Sequence, residues 1–159
     1  MSKVIRSPRQ RVWDALTLPS ELIRWDDRRL SLEAPAPGHP RLGQAAEWLC
    51  LLGSVKVRCS EEPIEILPEA RLRTAVALGA FRFEETYTLV DEEPSGTRVS
   101  LALAARNSVP LFDNELDRFD VRKLCVERVD ANLSLLQRWC ERPRRAQDGR
   151  APLPSPPLS

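Results

Sequence analysis

The spacing of apolar residues changes period twice along this chain, and the changes divide it into elements. After a short strand at "KVIR", the stretch "SPRQ" reads as a helix start. Ser7 can cap it, Pro8 suits the first helical position, and Gln10 completes a capping box. Val12, Trp13 and Leu16 form the apolar side of this helix until Leu18-Pro19 interrupts it. "SELIRW" is a second short helix that turns Leu22 and Trp25 inward.

From "RRLSLEA" onward the period becomes two, with Leu30 and Leu32 on one face. A Pro/Gly loop, "PAPGHPRLG", leads to "QAAEWLCLL", and Gly53-Ser54 suits a hairpin turn into "VKVRC". There Val55, Val57 and Cys59 face one way, Lys56 and Arg58 the other. "RLRTAVAL" turns at Gly79 into "FRFEETYTLV", and "DEEPSGT" turns again into "RVSLALAAR", where Val99, Leu101 and Leu103 share a face. About six consecutive strands with short connections predict an antiparallel meander. The strand around Trp48 stays ambiguous. If Trp48 faces inward with Ala46 and Cys50, Leu49 and Leu51 face outward, as a homodimer contact or under cover.

Helical spacing returns at about 112–139, where Phe112, Leu116, Phe119, Val126, Val129, Leu133, Leu136 and Cys140 recur as one stripe. Asp113, Glu115, Asp117 and Asp120 crowd its start, where the helix dipole favours them. Such a helix, alone after a meander, should lie across the sheet's concave face. The last stretch, "RPRRAQDGRAPLPSPPLS", is proline-rich and polar, so residues 1–141 are expected to form one domain and 142–159 a disordered tail.

Composition narrows the class. With 159 residues, 42% hydrophobic and 30% charged, the chain is an ordinary single globular domain. A net charge of +1 gives no electrostatic case for a nucleic acid or an anionic membrane as partner. No apolar run is long enough for a membrane span, and "MSKVIRSPRQ" lacks a signal-peptide core. A cytoplasmic location with reduced cysteines is therefore expected. Cys50, Cys59, Cys125 and Cys140 have no metal-ligand spacing and read as small apolar filler, so neither metal nor cofactor is expected.

At this point the chain resembles a family. "SPRQRVWDALTLPSELIRW" is similar to the opening signature of the START-like, or SRPBCC, superfamily, "PSGTRVSLAL" to its penultimate hairpin, and "LSLLQRWCE" to the end of its long helix. The resemblance spans about residues 1–141 and is nearest in character to polyketide cyclase/dehydrase and lipid-transport proteins. It implies an α+β helix-grip fold: a curved antiparallel sheet of six to seven strands around a long C-terminal helix, with two short helices after the first strand. It also implies a cavity between sheet and helix that holds hydrophobic molecules, with or without catalysis. The first strand is short for this family, which implies a frayed sheet edge or a start further upstream.

The stretch at 81–90 raises the sharpest chemical question. Phe81, Phe83, Glu85, Tyr87 and Leu89 share one face, and Arg82, Glu84, Thr86 and Thr88 read as the solvated one. A carboxylate in an apolar wall is costly to ionise without a partner. Glu85 is therefore a structural ion pair with Arg73 or another arginine, a polar anchor for a ligand, or an acid/base group. The cavity lining expected is Trp25, Trp48, Phe81, Phe83, Glu85, Tyr87, Leu101 and Phe119, while Trp13 and Trp139 belong to the core. His39, the one histidine, sits in a proline-rich loop, either solvated or at the cavity mouth. No Ser-His-Asp set or phosphate-cradling loop is present, and the basic docking motif of the Hsp90-activating branch is missing. These features favour a non-catalytic carrier of a hydrophobic small molecule (lipid, polyketide or quinone-like). The alternative is a cyclase- or dehydratase-like enzyme using Glu85 and Tyr87.

Overall fold

The computed structural model describes residues 1–34, 38–52, 54–78, 81–105 and 115–143, and their side chains except those of residues 52, 81 and 115–126. The elements follow the order β1 (Ser2–Ile5), α1 (Arg9–Thr17), α2 (Pro19–Trp25), β2 (Arg29–Leu32), β3 (Ala46–Leu52), β4 (Val55–Leu67), β5 (Arg71–Leu78), β6 (Phe81–Glu92), β7 (Gly96–Ala105) and α3 (Glu115–Cys140). The seven strands form one curved antiparallel sheet in the order β1-β7-β6-β5-β4-β3-β2. Only β1 is out of sequence order, because α1 and α2 carry the chain from one edge of the sheet to the other. This is the helix-grip arrangement.

Helix α3 packs against β1, β7, α1 and α2. Its buried residues Val129, Leu133, Leu136 and Cys140 lie three or four positions apart and so form one stripe. Polar contacts fix the seam where the helices meet. Glu21 accepts hydrogen bonds from Arg11 and from the Trp139 indole, each at 2.6 Å, and the Arg11 guanidinium lies over the Trp139 ring. Trp139 is thus a partly buried member of a polar seam at the edge of the core. At the opposite end Lys3 of β1 bonds Ser134 and pairs with Asp130 at 3.2 Å, both on α3.

The short helices depart from the capping box. Pro8 is the N-cap of α1 and no side chain caps it; the Pro8 carbonyl accepts from Arg11 and Val12 instead. Ser7 is buried, and its carbonyl receives the Thr97 hydroxyl at 2.7 Å, so it ties α1 to β7. Leu18-Pro19 does separate the two helices, with Pro19 at the first turn of α2.

In the sheet, residue pairing settles which side chains face α3. The rows Trp48–Cys59–Leu78, Glu61–Val76–Phe83, Thr74–Glu85–Leu103 and Leu72–Tyr87–Leu101 run across the concave face. Trp48 therefore points inward with Ala46 and Cys50, and Leu49 and Leu51 are half-buried on the other side. Strand β2 behaves differently from its alternating pattern. A register shift between Arg29 and Ser31 sets Arg29 opposite Cys50 and Leu32 opposite Trp48. Arg29 is thus the inward partner of Leu32, and Leu30 is exposed. The outer face of β6 also differs from a fully solvated one, for Glu84 is buried and accepts from Arg73 Nε at 2.8 Å. Arg73 consequently serves Glu84 on the convex side and is not the partner of Glu85.

The expected turn at Gly79, Asp113 and most of the tail lie outside the described residues, as do the side chains of Glu115, Asp117 and Asp120 at the start of α3. No helix among the described residues is long and apolar enough to cross a membrane.

Candidate functional site

Burial in the helix grip is not purely apolar. The turn between α2 and β2 carries "DDRR", and the backbone directs three of these residues onto the concave face of the sheet. Asp26, 1% exposed, is the hub. Its carboxylate accepts from the Arg28 backbone N–H at 3.2 Å, Arg28 Nε at 2.9 Å, Arg28 Nη2 at 2.8 Å and Arg29 Nε at 3.1 Å. Arg29 continues across the Trp48 ring, 4.6 Å from its centroid, and donates Nη1 to Glu61 Oε2 at 2.6 Å. Burial by itself would raise the Asp26 pKa, but Arg28 and Arg29 outweigh it and hold the carboxyl at about 2. Both guanidiniums are held in the charged form, since their carboxylate partners outweigh the desolvation that opposes it.

Glu61 extends the chain of polar groups to the β3–β4 hairpin. Its Oε1 lies 4.0 Å from Cys59 Sγ, and Cys59 is diagonal to Cys50 on the same face. The thiol interaction with Cys50, then burial, pushes the Cys59 pKa up. Half-buried His39 feels Glu61 and Arg29, but burial dominates and lowers its pKa, so the imidazole is neutral at pH 7.

Two polar groups on the concave face stand apart from this network. The side chains of Glu85 and Tyr87 make no hydrogen bond or ion pair among the described residues. Glu85 keeps part of its surface accessible although protein surrounds it. Burial raises its pKa to about 7; Glu61 and Asp26 add to the rise, and Arg28 and Arg29 oppose it. The Tyr87 hydroxyl is pushed well above its ordinary value, first by burial and then by Glu85. A half-protonated carboxyl and a neutral phenol thus stand side by side, both able to donate and accept.

Helix α3 adds unsatisfied groups on its inner side. Arg128 Nε is buried without a partner among the described residues, and so is the Oδ1 of Asn132, a residue only 2% exposed. Four positions separate them, so they lie on one face of the helix. Among the described residues no cluster of His, Cys, Asp and Glu has the geometry to hold a metal ion.

This architecture has counterparts among solved structures. A protein from Thermus thermophilus superposes with a TM-score of 0.66 at 29% identity, over 88% of this chain and 94% of that one. A START superfamily protein from Mycobacterium smegmatis matches with a TM-score of 0.71 at 11% identity, over 89% of this chain and 94% of that one. The chain has the START-like helix-grip fold. DynU16, a protein of the dynemicin biosynthetic locus, shares that fold with a TM-score of 0.60 at 14% identity; the match covers 86% of this START-like chain but 46% of DynU16. No protein-family model and no curated protein matches the sequence.

The cavity lining expected of a START-like protein is only partly gathered at this site. Phe83, Glu85, Tyr87 and Leu101 all lie on the concave face. Trp48 is there too, fully buried beneath Arg29. Trp25 is buried between the short helices, its indole N–H bonded to the Ala15 carbonyl at 2.7 Å. The side chains of Phe81 and Phe119 lie outside the described residues. Sequence reasoning missed Asp26, Arg28, Arg29, Glu61, Arg128 and Asn132.

Proposed function

We propose that this START-like protein binds a hydrophobic small molecule in the recess between the concave face of the sheet and α3, without catalysing its conversion. The observation that carries this reading is the pair Glu85 and Tyr87: polar, interior, and bonded to nothing among the described residues. Ligand recesses combine apolar walls with a few placed polar groups. Here Phe83, Val76, Leu101 and Leu103 supply the walls, and Glu85 and Tyr87 supply the anchors. A lipid, polyketide or quinone-like ligand is the class we propose, and the apolar walls support it.

One observation favours a second reading, a cyclase- or dehydratase-like enzyme. A carboxyl with a pKa of about 7 suits proton transfer at neutral pH, and Tyr87 is its neighbour on the strand. Against it, the other carboxylates of the concave side among the described residues, Asp26 and Glu61, are already ion-paired. Binding is the better supported function.

Native mass spectrometry of gently purified protein tests it. A bound mass of a few hundred daltons, weakened by Glu85→Ala, which removes the polar anchor altogether, is the expected result. Ligand-free protein in both samples, even after incubation with hydrophobic probes, would refute the binding function.

A further inference from the structure

Taking the recess as a ligand seat, we propose that it is built for a hydrophobic acid, whose oxyanion is received by Arg28 and Arg128 while its apolar portion lies along the concave face. The balance of donors and acceptors favours an anion. Asp26 already accepts three hydrogen bonds from Arg28 and one from Arg29. Arg29 is used at both Nε and Nη1, and Glu61 is taken by Arg29. Arg28 retains Nη1, which makes no hydrogen bond among the described residues.

Arg128 is the more telling group. Its Nη2 has only long contacts among the described residues, 3.4 Å to Asp27 Oδ1 and 3.9 Å to Asp26 Oδ1, and its Nε is buried without a partner there. Asp26 Oδ1 already accepts from the Arg28 backbone N–H and from Arg28 Nε, so its two lone-pair sites are taken where Arg128 approaches it. Burial and then the Arg28 charge disfavour the Arg128 cation, which a second anion would relieve. An unmade bond to a buried charged donor is costly, and a bidentate oxyanion is the group that fits two such forks.

The acceptor side is short by comparison. Glu85 is an interior carboxyl with no partner among the described residues, and at neutral pH it is about half protonated. Protonated, it donates to the same oxyanion; an ammonium ligand would instead meet Arg28, Arg29 and Arg128 together. One buried acceptor is unmet as well, Oδ1 of Asn132 one turn along α3 from Arg128, and it is the exception to this balance.

Calorimetric titration of the full chain at pH 7 with decanoate, decanol and decylamine separates the alternatives. Decanoate is expected to bind at least about tenfold more tightly than decanol, the size of one charge-assisted hydrogen bond. Arg128→Gln should remove most of that difference and leave decanol unchanged; Arg28→Gln serves as a second variant. Equal affinity for acid and alcohol, preference for the amine, or equal losses for acid and alcohol in Arg128→Gln would overturn the inference and leave the ligand seat intact. No binding of any probe would remove the ligand seat, and this inference with it.

Discussion

The Arg29 guanidinium lies over the Trp48 ring, 4.6 Å from its centroid, and from there joins Asp26 on one side to Glu61 on the other. The stacking explains how three charges can sit in the grip of an otherwise apolar sheet. The indole face attracts the cation, each carboxylate neutralises part of it, and the planar fork keeps both hydrogen bonds in register. The network is a floor on which Glu85 and Tyr87 stand out.

Removing the hub should be severe. Asp26→Asn leaves Arg28 and Arg29 without their shared counter-charge and is expected to cost about 3–5 kcal/mol, read by urea unfolding. Asp27→Asn, next in sequence but 66% exposed, should stay within about 0.5 kcal/mol. Because the Asp26 carboxyl titrates lower folded than unfolded, its contribution is complete above about pH 4 and is lost as pH falls toward 2. A matching loss in both variants would mean Asp26 is not a hub.

Glu85 should act in the opposite sense. Its pKa is raised, so it favours folding while protonated and that advantage disappears as pH rises from 4.5 through 7. Glu85→Gln should therefore be neutral near pH 4 and more stable than wild type near pH 8, by on the order of 1–3 kcal/mol. Thermal melts of both proteins across this range give the answer. A wild-type protein that gains stability relative to the variant on going from pH 5 to 8 would contradict the placement of this carboxyl.

Affinity for an acid should carry the same signature. Arg28 and Asp26 from the α2–β2 turn, Arg29 from β2 and Glu61 from β4 all act on Glu85, which in turn acts on neighbouring Tyr87. Glu85 is the group whose pKa burial raises to about 7. Decanoate binding should weaken as pH rises through 7, and Glu85→Gln should flatten the profile between pH 6 and 8. A profile equally steep in the variant would assign the titration to another group.

The two faces of β6 should differ in effect. Phe83→Ala opens the concave wall and should shift preference toward bulkier ligands, whereas Arg82→Ala alters the convex face and should leave ligand size unaffected. Displacement of a neutral dye by alcohols of increasing chain length measures this. Identical shifts in both would mean that the faces are reversed.

What was legible in the sequence was periodicity, and what was lost was what interrupts it. The alternation at 81–90 placed Phe83, Glu85 and Tyr87 on the concave face because an uninterrupted strand has no other option. Glu61 was within reach of the same logic. It continues the series Val57, Cys59, but "VKVRC" ends at Cys59, whereas β4 runs to Leu67. Arg29 could not be placed by alternation, because the irregularity between Arg29 and Ser31 exchanges the faces within a four-residue strand. A signal was present in "WDDRR", where four charges immediately follow a buried tryptophan. Arg128 gave none, since an arginine on an amphipathic helix reads as solvated until its neighbours from a distant turn are known.

Whether the concave recess is the ligand seat can be read with one photoreactive probe and two carboxylates on opposite sides of the sheet. An alkyl diazirine carried on decanol favours carboxyl groups. Glu85 lies on the concave face, while Glu62, on the other face of the sheet, borders an open groove with Ser60, Ala75, Val76, Ala77, Arg82 and Phe83. After irradiation and peptide mapping, label is expected on Glu85 or its neighbour Tyr87, competed away by excess decanol. Competable label on Glu62, with Glu85 unmodified, would contradict a seat in the concave recess.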